Sequence, residues 1–234
     1  MIRIFVDPAA LVAGELVVRG DEHHYLVHVR RARLGEPVEV VDGAGRRAAA
    51  TIARMSDAET ALVAGPPEAV VSPPPLVRAL IPLIKGERME LCIEKLVEVG
   101  ADEIVVWPAA RSISRLDDAR RDARLAKYRA VALAAARQSG RARVPAITAA
   151  PGLAAALAAL PGGLRLVLDP ASDAALDPAG ATDVTIASGP EGGLTDDERA
   201  QLAGFTPLGL GPRVLRAETA PMVAVALIRA ATRS

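Results

Sequence analysis

Cysteine is nearly absent from this chain of 234 residues, where Cys92 stands alone. No disulfide can close within the chain, and no cysteine cluster can hold a metal. A reducing compartment suits such a sequence. Aromatic residues are almost as scarce, at 2%. The core must be built from Ala, Val, Leu and Ile, and nucleic-acid recognition by base stacking alone is disfavoured. Net charge is missing too, because 28 basic residues balance 28 acidic ones. Any phosphate contact must then come from a local patch rather than a uniformly basic surface. No apolar run has membrane-spanning length. Charge and proline arrive by Asp7 and Pro8, too early for a secretory leader. The chain is expected to be soluble and cytoplasmic.

Apolar bulk is what the chain does have, at 51% of residues, enough for a small domain and a medium one. Residues 1–70 read as short strands at 2–5, 15–18, 37–42, 46–55 and 60–64, with Gly43-Ala44-Gly45 as a hairpin signal. Asp21 is placed to cap a short helix running through His24 and Val27. Gly65-Pro66-Pro67 and Pro73-Pro74-Pro75 then suit a semi-rigid linker and set the domain boundary. Over residues 76–234 strands alternate with helices. The strands fall at 76–83, 104–107, 164–168, 184–187 and 207–210. The helices fall at Glu87–Val99, 118–138, 153–160, after Thr195, and at Thr219–Ala231. Gly100 ends the first of them, and Thr195 with Glu198 forms a capping box. Such alternation predicts an α/β domain with a mostly parallel sheet covered by helices.

Two loops follow late strands and are rich in glycine. The first is Ser188-Gly189-Pro190-Glu191-Gly192-Gly193-Leu194. It lacks the Lys-Ser/Thr ending of a P-loop and the spacing of a dinucleotide fingerprint. It reads either as a tight turn or as a place where backbone approaches a ligand. The second is Leu208-Gly209-Leu210-Gly211-Pro212-Arg213-Val214-Leu215-Arg216-Ala217-Glu218. Glu218 there is a helix-dipole partner or a functional acid, and Arg216 its salt-bridge mate or a functional base contact. Two such loops after successive strands favour a shared pocket.

A third segment is basic. Arg111, Arg115, Arg120, Arg121, Arg124, Lys127, Arg129, Arg137, Arg141 and Arg143 face only Asp117, Asp118 and Asp122, a local excess of seven positive charges. A phosphate-binding patch and a solvated helix face both fit. Arg141 and Arg143, beyond the helix end, favour phosphate. His24 and His28 have i, i+4 spacing, but without a third ligand they read as ordinary surface histidines. Cys92 and Trp107 read as core.

Taken together, the two glycine loops resemble the signature of the RsmE family of ribosomal RNA methyltransferases, part of the SPOUT superfamily. Lys85-Gly86-Glu87-Arg88-Met89-Glu90, Glu94-Lys95-Leu96-Val97-Glu98-Val99-Gly100 and Arg137-Gln138-Ser139-Gly140-Arg141 are similar to further segments of that family. So are His24 to Arg31, Gly35 and Asp42-Gly43, so the resemblance spans nearly the whole chain. Two positions depart from it. Ala109 and Ala110 precede Arg111 where the family usually carries a Glu, and His28 stands where a basic residue is common.

The resemblance implies a PUA-like RNA-binding β-barrel at 1–70 and a SPOUT-type trefoil-knotted domain at 76–234. It implies a homodimer that methylates uridine N3 in small-subunit (16S) ribosomal RNA, with S-adenosylmethionine as donor and no metal. Arg216 and Glu218 would be catalytic, Glu218 as base. Leu168, Gly189, Pro190, Glu191, Gly192, Gly193, Leu208, Gly209, Leu210, Gly211, Val214 and Leu215 would hold the donor. Arg31, Arg111, Arg141 and Arg143 would hold RNA. An RNA binder acting on another RNA or base, or lacking catalysis, is the alternative.

Overall fold

A computed structural model describes residues 1–112 and 118–232. Arg115 and Asp117 of the basic segment lie outside the described residues. The chain forms two compact units, Met1–Ser72 with Ala136–Val144, and Pro73–Ala135 with Pro145–Ser234. No helix among the described residues is long and apolar enough to cross a membrane.

The first unit is a mixed sheet. Its strands are β1 (Ile2–Phe5), β2 (Gly14–Arg19), β3 (Pro37–Val41), β4 (Arg46–Met55), β5 (Glu59–Ala64) and β6 (Glu68–Ala69). Their order is β1-β3-β4-β5-β2, with β6 against β4. Only the β1–β3 pair is parallel. Alternation along β4 turns Ala48, Ala50 and Ile52 inward, and the register sets Val40 opposite Ala48 and Val38 opposite Ala50. Ile4, Leu11, Leu26, Val40 and Leu62 complete that core.

Asp21 does not cap helix α1 (Gly20–His24). Arg19 holds the cap position with extended backbone and no side-chain bond, and Asp21 sits in the first turn, where the helix dipole favours an acid. The helix also does not stay α-helical to Val27. It widens to a π-turn over Tyr25–Val29, where the Arg30 N–H reaches Tyr25 O at 2.8 Å. The hairpin turn at Gly43 is organised by Asp42. Its carboxylate accepts the Ala44 N–H (2.8 Å), the Arg46 N–H (2.9 Å) and the Arg46 Nε (2.7 Å).

The second unit is built on one parallel sheet. Its strands are β7 (Leu76–Pro82), β8 (Glu103–Trp107), β9 (Ala146–Ala149), β10 (Leu164–Leu168), β11 (Asp183–Ala187) and β12 (Thr206–Leu208). The order is β12-β10-β11-β7-β8-β9, every pair parallel. The helices are α2 (Glu87–Val99), α3 (Asp118–Ser139, counted here only as far as Ala135), α4 (Leu153–Ala158), α5 (Asp196–Gln201) and α6 (Thr219–Ala231). Leu80, Trp107, Ala187, Leu194 and Phe205 share one buried cluster. Met89, Cys92, Ile93 and Leu96 of α2 are fully buried, as are Val225 and Ile228 of α6, and these two helices pack on each other.

Parallel register positions the loops. Leu168 pairs with Leu208, and Val167 with Ala187. The chain therefore leaves β10, β11 and β12 at the same edge of the sheet, the carboxyl edge where open α/β folds hold ligands.

Candidate active site

The loops after β10, β11 and β12 enclose a cavity of about 370 Å³, a size suited to a small organic ligand. From β10 come Leu168, Asp169 and Pro170. From the loop after β11 come Ser188, Gly189, Pro190, Glu191, Gly193 and Leu194. From the loop after β12 come Leu208, Leu210, Gly211, Val214, Leu215 and Arg216. Ten of the twelve residues expected to hold the donor thus line one cavity, and so does Arg216.

Gly192 and Gly209 do not line it, and their surroundings show a packing reason for glycine. A Cβ on Gly209 would stand 1.8 Å from the Ser172 carbonyl oxygen, and one on Gly192 would stand 3.1 Å from Arg111 Cβ. Both keep the backbone close to a neighbouring loop.

Glu218 also stands outside the wall. It is 5% exposed, one carboxylate oxygen (Oε2) has no hydrogen-bond partner among the described residues, and it occupies the cap position of α6. Its neighbour across the helix pair is Cys92. Burial, followed by the negative charge of Glu218, pushes that thiol up to about 12. Cys92 is thereby an inert core residue.

One wall residue was overlooked at the level of sequence. Ser188 is 2% exposed and its Oγ has no partner among the described residues. The signal was available, since a hydroxyl at the end of a buried strand, next to glycine, faces whatever the loop binds. Arg199 also lines the cavity and pairs with Asp169 at 3.7 Å. Glu191 is paired with Arg88 at 3.4 Å.

The four arginines expected to contact RNA divide between the units. Arg31, Arg141 and Arg143 belong to the first. Arg31 is exposed and has a left-handed backbone, φ 51°. Arg143 is exposed, and its backbone bridges to Gly43 and Ala44. Arg111 belongs to the second unit, where its Nη1 donates to Gly192 O (3.1 Å) and Leu194 O (3.4 Å).

Elsewhere the basic segment is partly engaged in structure. Arg137 pairs with Glu22 and lies over Tyr25, 4.5 Å from the ring centre. Lys127 pairs with Glu90 at 2.6 Å. The His24 and His28 rings lie 4.8 Å apart, and among the described residues no group of three His, Cys, Asp or Glu could hold a metal ion.

Residues 72–229 match the RNA methyltransferase domain family, and residues 18–63 the RNA methyltransferase PUA domain family. The ribosomal RNA small subunit methyltransferase E of Mycobacterium bovis is 37% identical over 96% of this chain and 89% of its own length. That of Bacillus subtilis is 30% identical, over 90% and 88%. Among solved structures, ribosomal RNA small subunit methyltransferase E from Neisseria gonorrhoeae, bound to S-adenosyl methionine, aligns with a TM-score of 0.83 at 27% identity, covering 98% of this chain and 97% of that one. A Legionella pneumophila methyltransferase in complex with SAM aligns at 0.86 and 28%, with the same coverage.

Proposed function

The chain belongs to the ribosomal RNA small subunit methyltransferase E family, and from that premise we propose that it methylates N3 of a uridine in 16S ribosomal RNA, with S-adenosylmethionine as donor. The observation that carries the reading is the meeting of both glycine loops, Leu168 and Arg216 around one cavity. The cavity fits the donor chemically. Its leucines and Val214 suit adenine and methylene groups, and the unpartnered, buried Ser188 Oγ offers a hydrogen bond to a polar edge. Asp169 and Glu191 place acids near a cationic ligand.

When bound, S-adenosylmethionine supplies a methyl group on a positively charged sulfur. The protein must do the rest. Uridine N3 carries a proton at neutral pH and is a weak nucleophile, so the site has to remove that proton or stabilise the anion. Arg216, exposed in the wall, is our choice for stabilising the uridine anion and orienting the ring. Glu218, with one carboxylate oxygen unpartnered, is our choice for accepting the proton. The uridine must leave any stack to enter the cavity.

Further elements of the reading follow from family membership. Residues 1–70 act as a PUA-like RNA-binding barrel and 76–234 as a SPOUT domain with a trefoil knot made by the two glycine loops and α6. Arg31, Arg141 and Arg143 grip phosphate. The enzyme works as a cytoplasmic homodimer. Exposed Leu91 on α2 and Leu227 on α6, 43% and 44% accessible, support a partner on that helix pair.

The test is methyl transfer from labelled donor to small ribosomal subunits that lack the modification, followed by nucleoside analysis. A 3-methyluridine product supports the reading. Donor binding without transfer to these subunits would redirect it to another RNA, and a chain that binds no donor would end it.

A further inference from the structure

We propose that Arg111 is a positioning residue for the donor and not a phosphate contact. It latches the 188–194 loop in the shape that forms the cavity wall. The inference rests on reading the cavity as the donor site.

The geometry is specific to individual peptide units. Gly193 and Leu194 both line the cavity, so the planes of their peptides set its shape. The peptide between Gly192 and Gly193 is held at both ends. Its carbonyl accepts from Arg111 Nη1 at 3.1 Å, and its N–H donates to Pro190 O at 2.8 Å. The peptide between Leu194 and Thr195 is held at both ends as well. Its carbonyl accepts from the same Nη1 at 3.4 Å, and its N–H donates to Glu198 Oε2 at 2.8 Å. A peptide unit is planar, so fixing its oxygen and its hydrogen leaves it no free rotation. These two units bracket Gly193 and Leu194, and the φ of 73° at Gly193 lies in the left-handed region that favours glycine.

The other end of the latch is fixed too. The remaining oxygen of Glu198, Oε1, accepts the Ala110 N–H at 2.8 Å. Glu198 is 6% exposed, and it also receives support from Thr195, whose Oγ1 accepts the Glu198 N–H at 3.2 Å. One buried carboxylate therefore ties the residue before Arg111 to the loop that Arg111 grips. Gly192 completes the fit, since a Cβ there would meet Arg111 Cβ at 3.1 Å. A guanidinium with a fixed fork can serve two carbonyls, and a charged donor makes the stronger kind of hydrogen bond. The latch draws on Nη1 alone, so a phosphate contact would have to use Nε and Nη2 instead.

The experiment compares wild type, Arg111→Ala, Arg111→Lys and Glu198→Gln. It measures S-adenosylmethionine affinity by calorimetry without RNA, RNA affinity across salt concentrations, and Tm. The latch predicts about tenfold weaker donor binding in Arg111→Ala, partial recovery in Arg111→Lys, and a smaller loss in Glu198→Gln. The salt slope of RNA binding stays at its wild-type value in Arg111→Ala. A phosphate contact predicts the reverse, an unchanged donor affinity and a slope lower by about one. That result would overturn the latch while leaving the donor site intact. A wild type that fails to bind the donor would overturn both together. Should Arg111→Ala lower Tm sharply, Glu198→Gln decides, because it removes one acceptor and leaves the arginine in place.

Discussion

The starts of helices α5 and α6 each bury a glutamate, and the two are handled in opposite ways. Glu198 is 6% exposed and has both carboxylate oxygens occupied, one by the Thr195 N–H and one by the Ala110 N–H. Glu218 is 5% exposed, and its Oε2 has no partner among the described residues. A buried acceptor without a partner costs stability, about 1–3 kcal/mol. The two groups thus differ in whether the surrounding backbone uses their oxygens. The comparison sets the carboxylate proposed to shape the loop against the one proposed to accept the proton.

The largest expected effect tests that separation directly. Glu218→Gln should lower the rate of methyl transfer by roughly 10²–10⁴-fold, the usual size of a general-base contribution, with donor affinity within about twofold of wild type. Glu198→Gln should instead show mainly as a raised donor KM. A Glu218→Gln enzyme that turns over normally would reduce Glu218 to a helix-dipole partner, the plainer of the two roles open to it from sequence. Next in size is Arg216→Ala. It should cost roughly 10²–10³-fold in kcat at saturating donor, as losing one stabiliser of a developing anion does. An effect confined to the donor KM would reassign Arg216 to binding.

Much of the second unit was legible in the sequence because its signals are local. The apolar spacing of Met89, Cys92, Ile93 and Leu96 predicts α2, and Gly100 ends it with φ 107°, its N–H reaching Leu96 O and Val97 O. The Thr195 capping box is present with both of its bonds. Leu168 is implied only by the family resemblance, and the strand order β12-β10-β11, which places it beside the two glycine loops, is not visible in the sequence. What escaped is what depends on distant partners. Strand β9 has four residues and too little alternation to stand out, and β6 has two. Their existence depends on neighbours, β8 and β4. Arg111 and Arg137 look alike in a basic run, yet one meets carbonyls 81 and 83 residues away, and the other a carboxylate 115 residues away. Charge patterning names such residues as cations but cannot say whether the molecule itself already holds them. The same limit applies to Gly192 and Gly209. They look like their cavity-lining neighbours until the Arg111 side chain and the Ser172 carbonyl come into view.

The smallest expected effect carries the comparison of occupied carboxylates into the first unit. Asp42 is 6% exposed and, like Glu198, has its acceptors in use. Burial by itself would raise its carboxyl, but the hydrogen bonds from Arg46 and from the Ala44 N–H outweigh that and hold it below the usual carboxylate range. A carboxyl lowered in the folded state stabilises the fold above its unfolded pKa, and that stability fades as pH falls through the folded value. Asp42→Asn should therefore destabilise the protein by about 1 kcal/mol at neutral pH, a modest figure because the Arg46 side chain is 44% exposed and screened by water. The gap between wild type and variant should close on acidification below about pH 4. Urea denaturation followed at several pH values reads this difference. A gap that stays constant into acid would mean that the loss in Asp42→Asn comes from replacing an acceptor oxygen with a donor, and that the charge of Asp42 contributes nothing to the Gly43 hairpin.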